Sequence, residues 1–266
     1  MSVKLYEIAS ALECLAPLQY AEPWDNVGLL LGDANADITK MLIALDVTDE
    51  VVAEAIEKKV DCILSHHPLL LGKINRVVAD NPLTKRMIHL IQNHIHVYAL
   101  HTNLDIAPMG VNDTLANRLS LKQIEPLCDY VDADKRYALG RVGVLEQAQS
   151  LQAFAETVKQ TLSMAHVTYV GDSQKSIRKV AVLGGSGADT EYFDYAKKRG
   201  ADILLTSDVK YHKAQAALEM DLVLIDATHY ATEVIVLPVL QQYLQSKFAG
   251  LEIVQSGVDG QVIQYI

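Results

Sequence analysis

The sequence predicts an α/β protein with two pseudo-duplicated halves around a mixed sheet core. Short apolar runs that suit buried strands alternate with amphipathic helical segments. The order strand, helix, strand with a polar end, helix, strand with a polar end occurs first in residues 41–105 and again in residues 179–233. This repeated layout indicates two related α/β units, and we expect their strand ends to converge on one site.

The layout divides the chain into three segments within one compact unit. We predict an N-terminal α/β half in residues 1–123, a connecting β-α-β segment in residues 124–178 and a C-terminal α/β half in residues 179–266. The two halves share a loose strand pattern, which reads DCILS from Asp61 and DILLTS from Asp202.

The first half is predicted to alternate helices with strands, and Thr48 or Asp49 is the expected N-cap of the second helix. Trp24 lies in a loop from Pro17 to Gly32, where we expect a core or interface anchor rather than a ligand-binding residue. The predicted helices are Val3–Leu15, Asp49–Lys58, Asn81–Asn93 and one from Gly110 to about Leu119. The predicted strands are Met41–Leu45, Asp61–Pro68 with its His-His end, and His96–Leu100.

The rest of the chain repeats this alternation. The predicted strands are Tyr137–Leu145, His166–Val170, Val180–Leu183, Ala201–Thr206 and Leu222–Ile225. The predicted helices run from a Ser150 cap to Leu162, over Asp189–Arg199, through His212 and onward from about Thr232.

Composition limits the classes of function. The net charge of −10, with no basic stripe, argues against a nucleic-acid partner. Three scattered cysteines without a CxxC motif predict reduced thiols rather than disulfides. The N-terminus lacks the basic start of a signal peptide, and no apolar run is long enough to span a bilayer. We therefore expect a cytoplasmic protein with no membrane partner.

The stretch DCILSHHP, at Asp61–Pro68, is the strongest motif. His66 and His67 follow a buried strand, and Pro68 keeps His67 extended. Adjacent side chains on an extended chain point in opposite directions, so the pair suits two neighbouring metals better than one. Ligands of α/β sheets collect at the carboxyl ends of strands, which favours a metal site here. The alternative is a turn whose two histidines only form hydrogen bonds.

Three more candidate ligands follow predicted strand ends. His229 and Glu233 are four residues apart and can share one helix face, although such a pair is often only a surface contact. Asp105 lies four residues after His101. The combined set offers three imidazoles and two carboxylates, which suffice for two ions if the carboxylates bridge them and water completes the coordination. The predicted metal ligands are His66, His67, Asp105, His229 and Glu233.

Other residues are candidates for supporting roles. His101 or His212 could protonate a leaving group, because histidine titrates near neutral pH. Asp208, Asp226 and Asn103 are assigned to the surrounding pocket or to contacts with the ligands. The Gly184–Gly187 turn could hold an anion, but it matches no phosphate-binding motif and a plain tight turn is favoured.

Several motifs resemble the Nif three-like family, whose members are commonly labelled GTP cyclohydrolase I type 2 homologues. The matching motifs are WDNVGLLLG at Trp24–Gly32, SHHP at Ser65–Pro68, HTNLD at His101–Asp105, GVNDTLA at Gly110–Ala116, and SDVKYH with DATHYATE near the end. The resemblance implies the same five ligands, a dinuclear site and toroidal homohexamers. It also implies that glycine is usual where this chain has Ser207 and Thr228.

Two functions compete. The first is a dinuclear metal hydrolase of small molecules, in which two divalent ions per subunit activate a bridging water. The ions are expected to be zinc, iron or manganese, because the ligands are nitrogen and oxygen without thiolate. The second is a non-catalytic metal-binding scaffold, metal chaperone or regulatory partner. GTP is not the expected substrate, because only Lys210, Lys213 and the glycine turn could meet its triphosphate.

Overall fold

The alternating strands and helices of the sequence form two mixed sheets and one small antiparallel two-stranded sheet in a computed structural model, which describes residues 2–264. The strands are β1 (Val3–Lys4), β2 (Gly28–Leu31), β3 (Asp37–Ile38), β4 (Lys40–Ala44), β5 (Cys62–Ser65), β6 (His96–Ala99), β7 (Lys122–Pro126), β8 (Arg141–Ser150), β9 (Thr168–Val170), β10 (Ser176–Val182), β11 (Ile203–Thr206), β12 (Val223–Asp226) and β13 (Glu252–Gln255).

Most helices begin close to the predicted positions, and the N-cap residues include Ser150 and Thr48, of which Thr48 was one of two alternatives. Thr48, Asn81, Ser150 and Asp189 each accept a hydrogen bond from a first-turn amide. The α-helices are α1 (Leu5–Leu15), α2 (Asp49–Glu57), α3 (Pro82–Gln92), α4 (Thr102–Ile106), α5 (Val111–Arg118), α6 (Leu151–Thr161), α7 (Thr190–Lys198), α8 (Tyr211–Glu219), α9 (His229–Glu233) and α10 (Leu237–Lys247). Short 3₁₀ helices occupy Leu18–Tyr20 and Val234–Val236.

The described residues divide into two compact units. Unit 1 consists of residues 2–104 with Leu237–Gly260, and unit 2 consists of Asp105–Val236 with residues 261–264. The predicted boundaries at 123/124 and 178/179 do not coincide with this division. The difference arises because α10 and β13 belong to unit 1, while the segment predicted as a connector supplies strands to the sheet of unit 2.

Unit 1 contains a five-stranded sheet in the order β13-β4-β5-β6-β2. Strands β13, β4, β5 and β6 are parallel, and β2 closes one edge in the antiparallel direction. Helices α2 and α3 bury Val52, Ala55 and Leu90 in one cluster with Leu42 and Ile63 of the sheet. Burial of these apolar side chains stabilises the sheet, and the carboxyl ends of β13, β4, β5 and β6 lie at one edge because the four strands are parallel.

Unit 2 contains a six-stranded sheet in the order β7-β8-β10-β11-β12-β9. Its parallel core is β10-β11-β12, and β8 and β9 flank that core in the antiparallel direction. Alternating residues of β11 pack on opposite faces. Leu205 joins a cluster with Phe154 of α6, whereas Leu204 joins Phe193 of α7.

The mixed α/β fold and the repeated arrangement are therefore confirmed. The unit β4-α2-β5-α3-β6 in the first sheet corresponds to β10-α7-β11-α8-β12 in the second. In each of these units a candidate site residue follows the middle strand. His66 comes directly after β5, and Asp208 comes shortly after β11. No helix formed by residues 2–264 combines the length and apolar character needed to span a bilayer.

Candidate metal centre

His66 lies directly after β5 and is fully buried in unit 1. Its Nδ1 atom lies 2.8 Å from the backbone oxygen of Leu100, and Leu100 in turn donates its amide to Ser65 at 3.0 Å. A carbonyl oxygen only accepts hydrogen bonds, so Nδ1 of His66 carries the proton. The lone pair of the neutral ring is then on Nε2, which is the arrangement found in histidine metal ligands.

His67 is oriented by a carboxylate. Its Nδ1 lies 2.7 Å from Oδ1 of Asp46, a residue that follows the neighbouring strand β4. The backbone oxygen of His67 also accepts a 2.8 Å hydrogen bond from the Ser65 hydroxyl. A carboxylate on one ring nitrogen increases the basicity of the other nitrogen.

His101 joins these two histidines. The ring centroids are 5.0 Å apart for His66 and His67, 5.2 Å for His66 and His101, and 5.5 Å for His67 and His101. One ring nitrogen from each residue lies within 4.8 Å of the other two, so this histidine cluster of unit 1 could hold a metal ion. The structure therefore places His101, predicted as a proton donor, beside two predicted ligands.

Asp25 orients the His101 ring. Its Oδ1 lies 2.8 Å from Nδ1 of His101, and its Oδ2 accepts hydrogen bonds from the amide and hydroxyl of Thr102. Burial alone would raise the pKa of Asp25, but the hydrogen bonds from His101 and Thr102 outweigh it and hold the pKa at about 2. Asp25 is therefore a carboxylate at neutral pH.

Unit 2 supplies His229 and Glu233 at the two ends of α9. Nε2 of His229 lies 3.1 Å from Oε2 of Glu233, and the glutamate is buried. Nδ1 of His229 lies 2.7 Å from Oδ2 of Asp208, so an acidic side chain orients this histidine as well. The i,i+4 spacing thus brings the two side chains together on one helical turn.

Asp105 completes the candidate ligands of unit 2. It is buried, and one of its carboxylate oxygens lies within 4.8 Å of one from Glu233. Asn112 fixes the local backbone, because its side-chain amide donates to the Asp105 carbonyl at 3.0 Å and its Oδ1 accepts from the Gly184 amide at 2.9 Å. In unit 2, Glu233 therefore lies close both to Asp105 and to His229.

The Gly184–Gly187 turn supports Glu233 and does not form an anion site. The amides of Gly184, Gly185 and Gly187 donate to the side chains of Asn112, Thr232 and Thr206, respectively. Gly185 has a φ of +68°, and a Cβ there would lie 2.1 Å from Oε1 of Glu233. The turn needs glycine at this position because the carboxylate packs directly against the backbone.

The remaining predicted residues have different surroundings. Asn103 is buried, accepts the His101 amide at 3.0 Å and donates to the Ala16 carbonyl. Asp226 accepts the amides of Val209 and Thr228. His212 is exposed, with Nδ1 3.2 Å from Oε1 of Gln215, and belongs to none of the potential metal groups within residues 2–264. Its role as a proton donor stays a prediction.

Trp24 was predicted to be a core or interface anchor, and the structure excludes the core alternative while the interface alternative stays a prediction. Its side chain is 60% exposed, and its ring lies edge-on to His101 with a centroid distance of 5.8 Å. The side chain of the adjacent Asp25 is buried instead, and its carboxylate accepts hydrogen bonds from Thr102 and contacts Nδ1 of His101.

The sequence did not indicate the contacts that three residues, Asp25, Asp46 and Gly185, make with the candidate site. Asp25 and Asp46 contact their histidines only after folding, since 76 and 21 residues separate the partners. Gly185 could be recognised as part of a turn, but its contact with Glu233 depends on tertiary structure. The available signal for Asp46 was its position at the carboxyl end of a predicted strand.

The donor atoms suit a borderline first-row divalent ion. Imidazole nitrogen and carboxylate oxygen are the available ligands, and the buried Cys62 lies in β5 with its thiol pKa raised by burial. Such nitrogen and oxygen sets are used for zinc, iron and manganese. The residues present therefore fit a transition-metal site.

Comparisons with known proteins cover almost the whole chain. The family model described as Duf34/NIF3 (NGG1p interacting factor 3) matches residues 3–260. A Clostridium acetobutylicum protein named GTP cyclohydrolase 1 type 2 homolog is 39% identical over 233 residues, which cover 88% of this chain and 86% of that protein.

Solved structures agree with the sequence match. The Staphylococcus aureus hypothetical protein SA1388 has a TM-score of 0.91 and 32% identity, and the Bacillus cereus protein related to NIF3 has a TM-score of 0.92 and 26% identity. Each comparison covers 99% of both chains. The chain therefore belongs to the Duf34/NIF3 family.

Proposed function

We propose that the protein is a divalent-metal-dependent hydrolase with a dinuclear centre. Its ligands in this proposal are the five residues predicted from the sequence, namely His66, His67, Asp105, His229 and Glu233. The name shared by many relatives, GTP cyclohydrolase 1 type 2 homolog, is consistent with hydrolytic chemistry.

One observation carries the proposal. Nδ1 of each of four histidines lies within 2.8 Å of an oxygen acceptor, which is a carbonyl for His66 and a carboxylate for the other three, His67, His101 and His229. A metal-binding imidazole needs its second nitrogen held in this manner, because the contact fixes both the ring orientation and the tautomer. The contacts of His66, His67 and His229 support a metal-binding role better than a set of independent turns does, and the contact with Asp25 fixes the orientation of His101.

The reaction would use the metal for nucleophile activation and protein side chains for proton transfer. A divalent ion, when bound, lowers the pKa of coordinated water from ~16 to about 7 and makes hydroxide available at neutral pH. We assign the proton donor to His101 in preference to His212, because His101 lies in the histidine cluster while His212 is exposed. Asp25 would hold the His101 ring in position through its contact with Nδ1.

The substrate in this proposal is a molecule without a triphosphate that has a hydrolysable carbon or phosphorus centre. Three features of the sequence could contact a triphosphate, namely Lys210, Lys213 and the Gly184–Gly187 turn, but they offer it few free donors. Lys213 pairs with Asp189 at 2.8 Å, and the amides of the Gly184–Gly187 turn already donate to side chains. Only Lys210 remains, and one lysine compensates poorly for several phosphate charges.

The test combines metal analysis with activity. Wild-type protein purified without chelator should contain about two transition-metal ions per chain, as a dinuclear site requires. Glu233→Gln should reduce that number, because an amide is a much weaker ligand than a carboxylate. His89→Gln is the matched control, since His89 is an exposed residue of α3. Absence of bound metal, or equal loss in both variants, would contradict the proposed site.

Metal-dependent turnover decides between the two candidate functions. We expect hydrolysis of at least one member of a panel of nucleotides, phosphoesters and cyclic amides, and we expect Glu233→Gln to lose it. Stoichiometric metal without turnover of any member would instead support the non-catalytic scaffold.

A further inference from the structure

Trp24 is an exposed residue in a rigidly held loop. The carboxylate of Asp25 accepts hydrogen bonds from the amide and hydroxyl of Thr102, and the Thr102 hydroxyl also accepts the Glu22 amide at 2.9 Å. Asn26 donates to the Leu70 carbonyl at 2.7 Å. The backbone on both sides of Trp24 is therefore fixed, although 60% of its side chain faces solvent.

The exposed indole lies next to the histidine cluster. Its ring contacts His101 at an interplanar angle of 76°, so the contact uses an edge of one ring and leaves much of the indole surface exposed. The contact with His101 therefore accounts for only part of the Trp24 surface.

We propose that Trp24 is a positioning residue that stacks on a flat heteroaromatic ring of the substrate beside His101. This inference rests on the proposed function, because it extends the same site from reaction chemistry to substrate recognition. Because the backbone around Trp24 is fixed, little backbone entropy is lost when a ring stacks on the indole, and aromatic stacking accepts any planar π-system. The substrate class is therefore a molecule that joins a planar ring to the bond that is hydrolysed.

Fluorescence provides a direct test, because Trp24 is the only tryptophan in the chain. Metal-loaded protein is titrated with guanosine 5′-monophosphate and, separately, with ribose 5-phosphate. The two probes share a sugar phosphate, but only the first carries a planar ring. We expect the nucleotide to quench Trp24 emission in a saturable manner and ribose 5-phosphate to leave the emission unchanged. Equal responses to both probes would overturn the proposal.

Variants separate substrate stacking from a contact between subunits. Calorimetric affinity for guanosine 5′-monophosphate should fall about tenfold or more in Trp24→Ala, the scale of one lost stacking contact, and less in Trp24→Phe. Tyr6→Ala is the matched control, because Tyr6 is another half-exposed aromatic residue of unit 1. Unchanged affinity in Trp24→Ala, or a loss of oligomeric mass in that variant without a change in affinity, would overturn the proposal and favour a subunit contact.

The outcomes also separate this inference from the proposed hydrolase. Metal content should be unchanged in Trp24→Ala, because the indole is not a ligand. Trp24-dependent binding without turnover of any panel substrate would support the stacking role and contradict the hydrolase. The wild-type protein could instead hydrolyse a panel substrate and show the same fluorescence response to guanosine 5′-monophosphate and ribose 5-phosphate. That result would support the hydrolase and overturn the stacking role.

Discussion

Thr228 shows at the scale of one residue how the backbone before a candidate ligand is constrained. It is the N-cap of α9, directly before His229, and has φ 55° and ψ 149°. This conformation borders a region that is essentially restricted to glycine and costs about 1–3 kcal/mol for other residues. Its hydroxyl accepts the Ala231 amide at 3.4 Å, and its carbonyl accepts the Thr232 hydroxyl at 3.0 Å. Packing and capping therefore maintain a strained threonine.

Thr228→Gly should increase the free energy of unfolding by about 1 kcal/mol. The relief of backbone strain exceeds the small loss from replacing a threonine cap by glycine and the entropy that glycine adds to the unfolded chain. Urea denaturation measures the change.

Thr48→Gly is the matched control for this change. Thr48 is also an N-cap threonine that accepts an i+3 amide, but its φ is −83°. It should lose a few tenths of a kcal/mol. Destabilisation of both variants would show that strain at Thr228 is not significant.

At the scale of elements, the turn from Gly184 to Gly187 and helix α9 form one supporting structure. The Gly185 amide donates to the Thr232 hydroxyl at 3.0 Å, and its carbonyl accepts from the Ser207 amide and hydroxyl. The turn after β10 is thereby linked to the end of β11 and to α9. This network holds the backbone of α9 next to Glu233.

Gly185→Ala should reduce metal content and stability together. The new Cβ would approach Oε1 of Glu233 to 2.1 Å, so the carboxylate must move. Gly200→Ala isolates the backbone effect, because Gly200 has almost the same φ, +69°, and no atom within 4 Å of its Cβ position. Both variants should lose about 1–2 kcal/mol from the left-handed conformation. Only Gly185→Ala should also lose bound metal, which elemental analysis can measure; equal metal content in the two would contradict the supporting role.

The sequence predicted the parts of the fold that depend on local patterns. The parallel strands β4, β5 and β6 and their counterparts β10, β11 and β12 appear as apolar runs, and helix caps such as Ser150 carry a local signal. Strand β2 (Gly28–Leu31) was treated as part of a loop, and β7 and β13 were not predicted. These short strands are defined by their pairing with β6, β8 and β4, which periodicity does not reveal.

The candidate site was partly visible for the same reason. His66 and His67 follow a strand that is evident from its composition, and His229 and Glu233 have helical spacing. The contacts of Asp25 with His101 and of Asp46 with His67 join distant segments, so single-sequence patterns did not reveal them. The core alternative for Trp24 failed because its side chain faces solvent, whereas the side chain of the neighbouring Asp25 is buried.

At the scale of the whole molecule, the net charge of each chain opposes self-association. Each chain has 33 acidic and 23 basic residues, which gives a net charge of −10. Copies of the chain therefore repel one another over the Debye length, which is about 8 Å at 0.15 M salt and about 30 Å at 0.01 M. The homohexamer implied by the motif resemblance must form against this repulsion.

We predict a hexamer whose stability increases with salt. Light scattering at micromolar concentration and 0.15 M salt should give about six times the chain mass of 29.3 kDa. At nanomolar concentration, single-molecule mass measurements should detect more dissociated species at 0.01 M salt than at 0.3 M, because screening reduces the repulsion between chains. A single-chain mass at micromolar concentration would contradict the hexamer. Greater dissociation at high salt would instead indicate that attractive ion pairs between subunits outweigh the net repulsion.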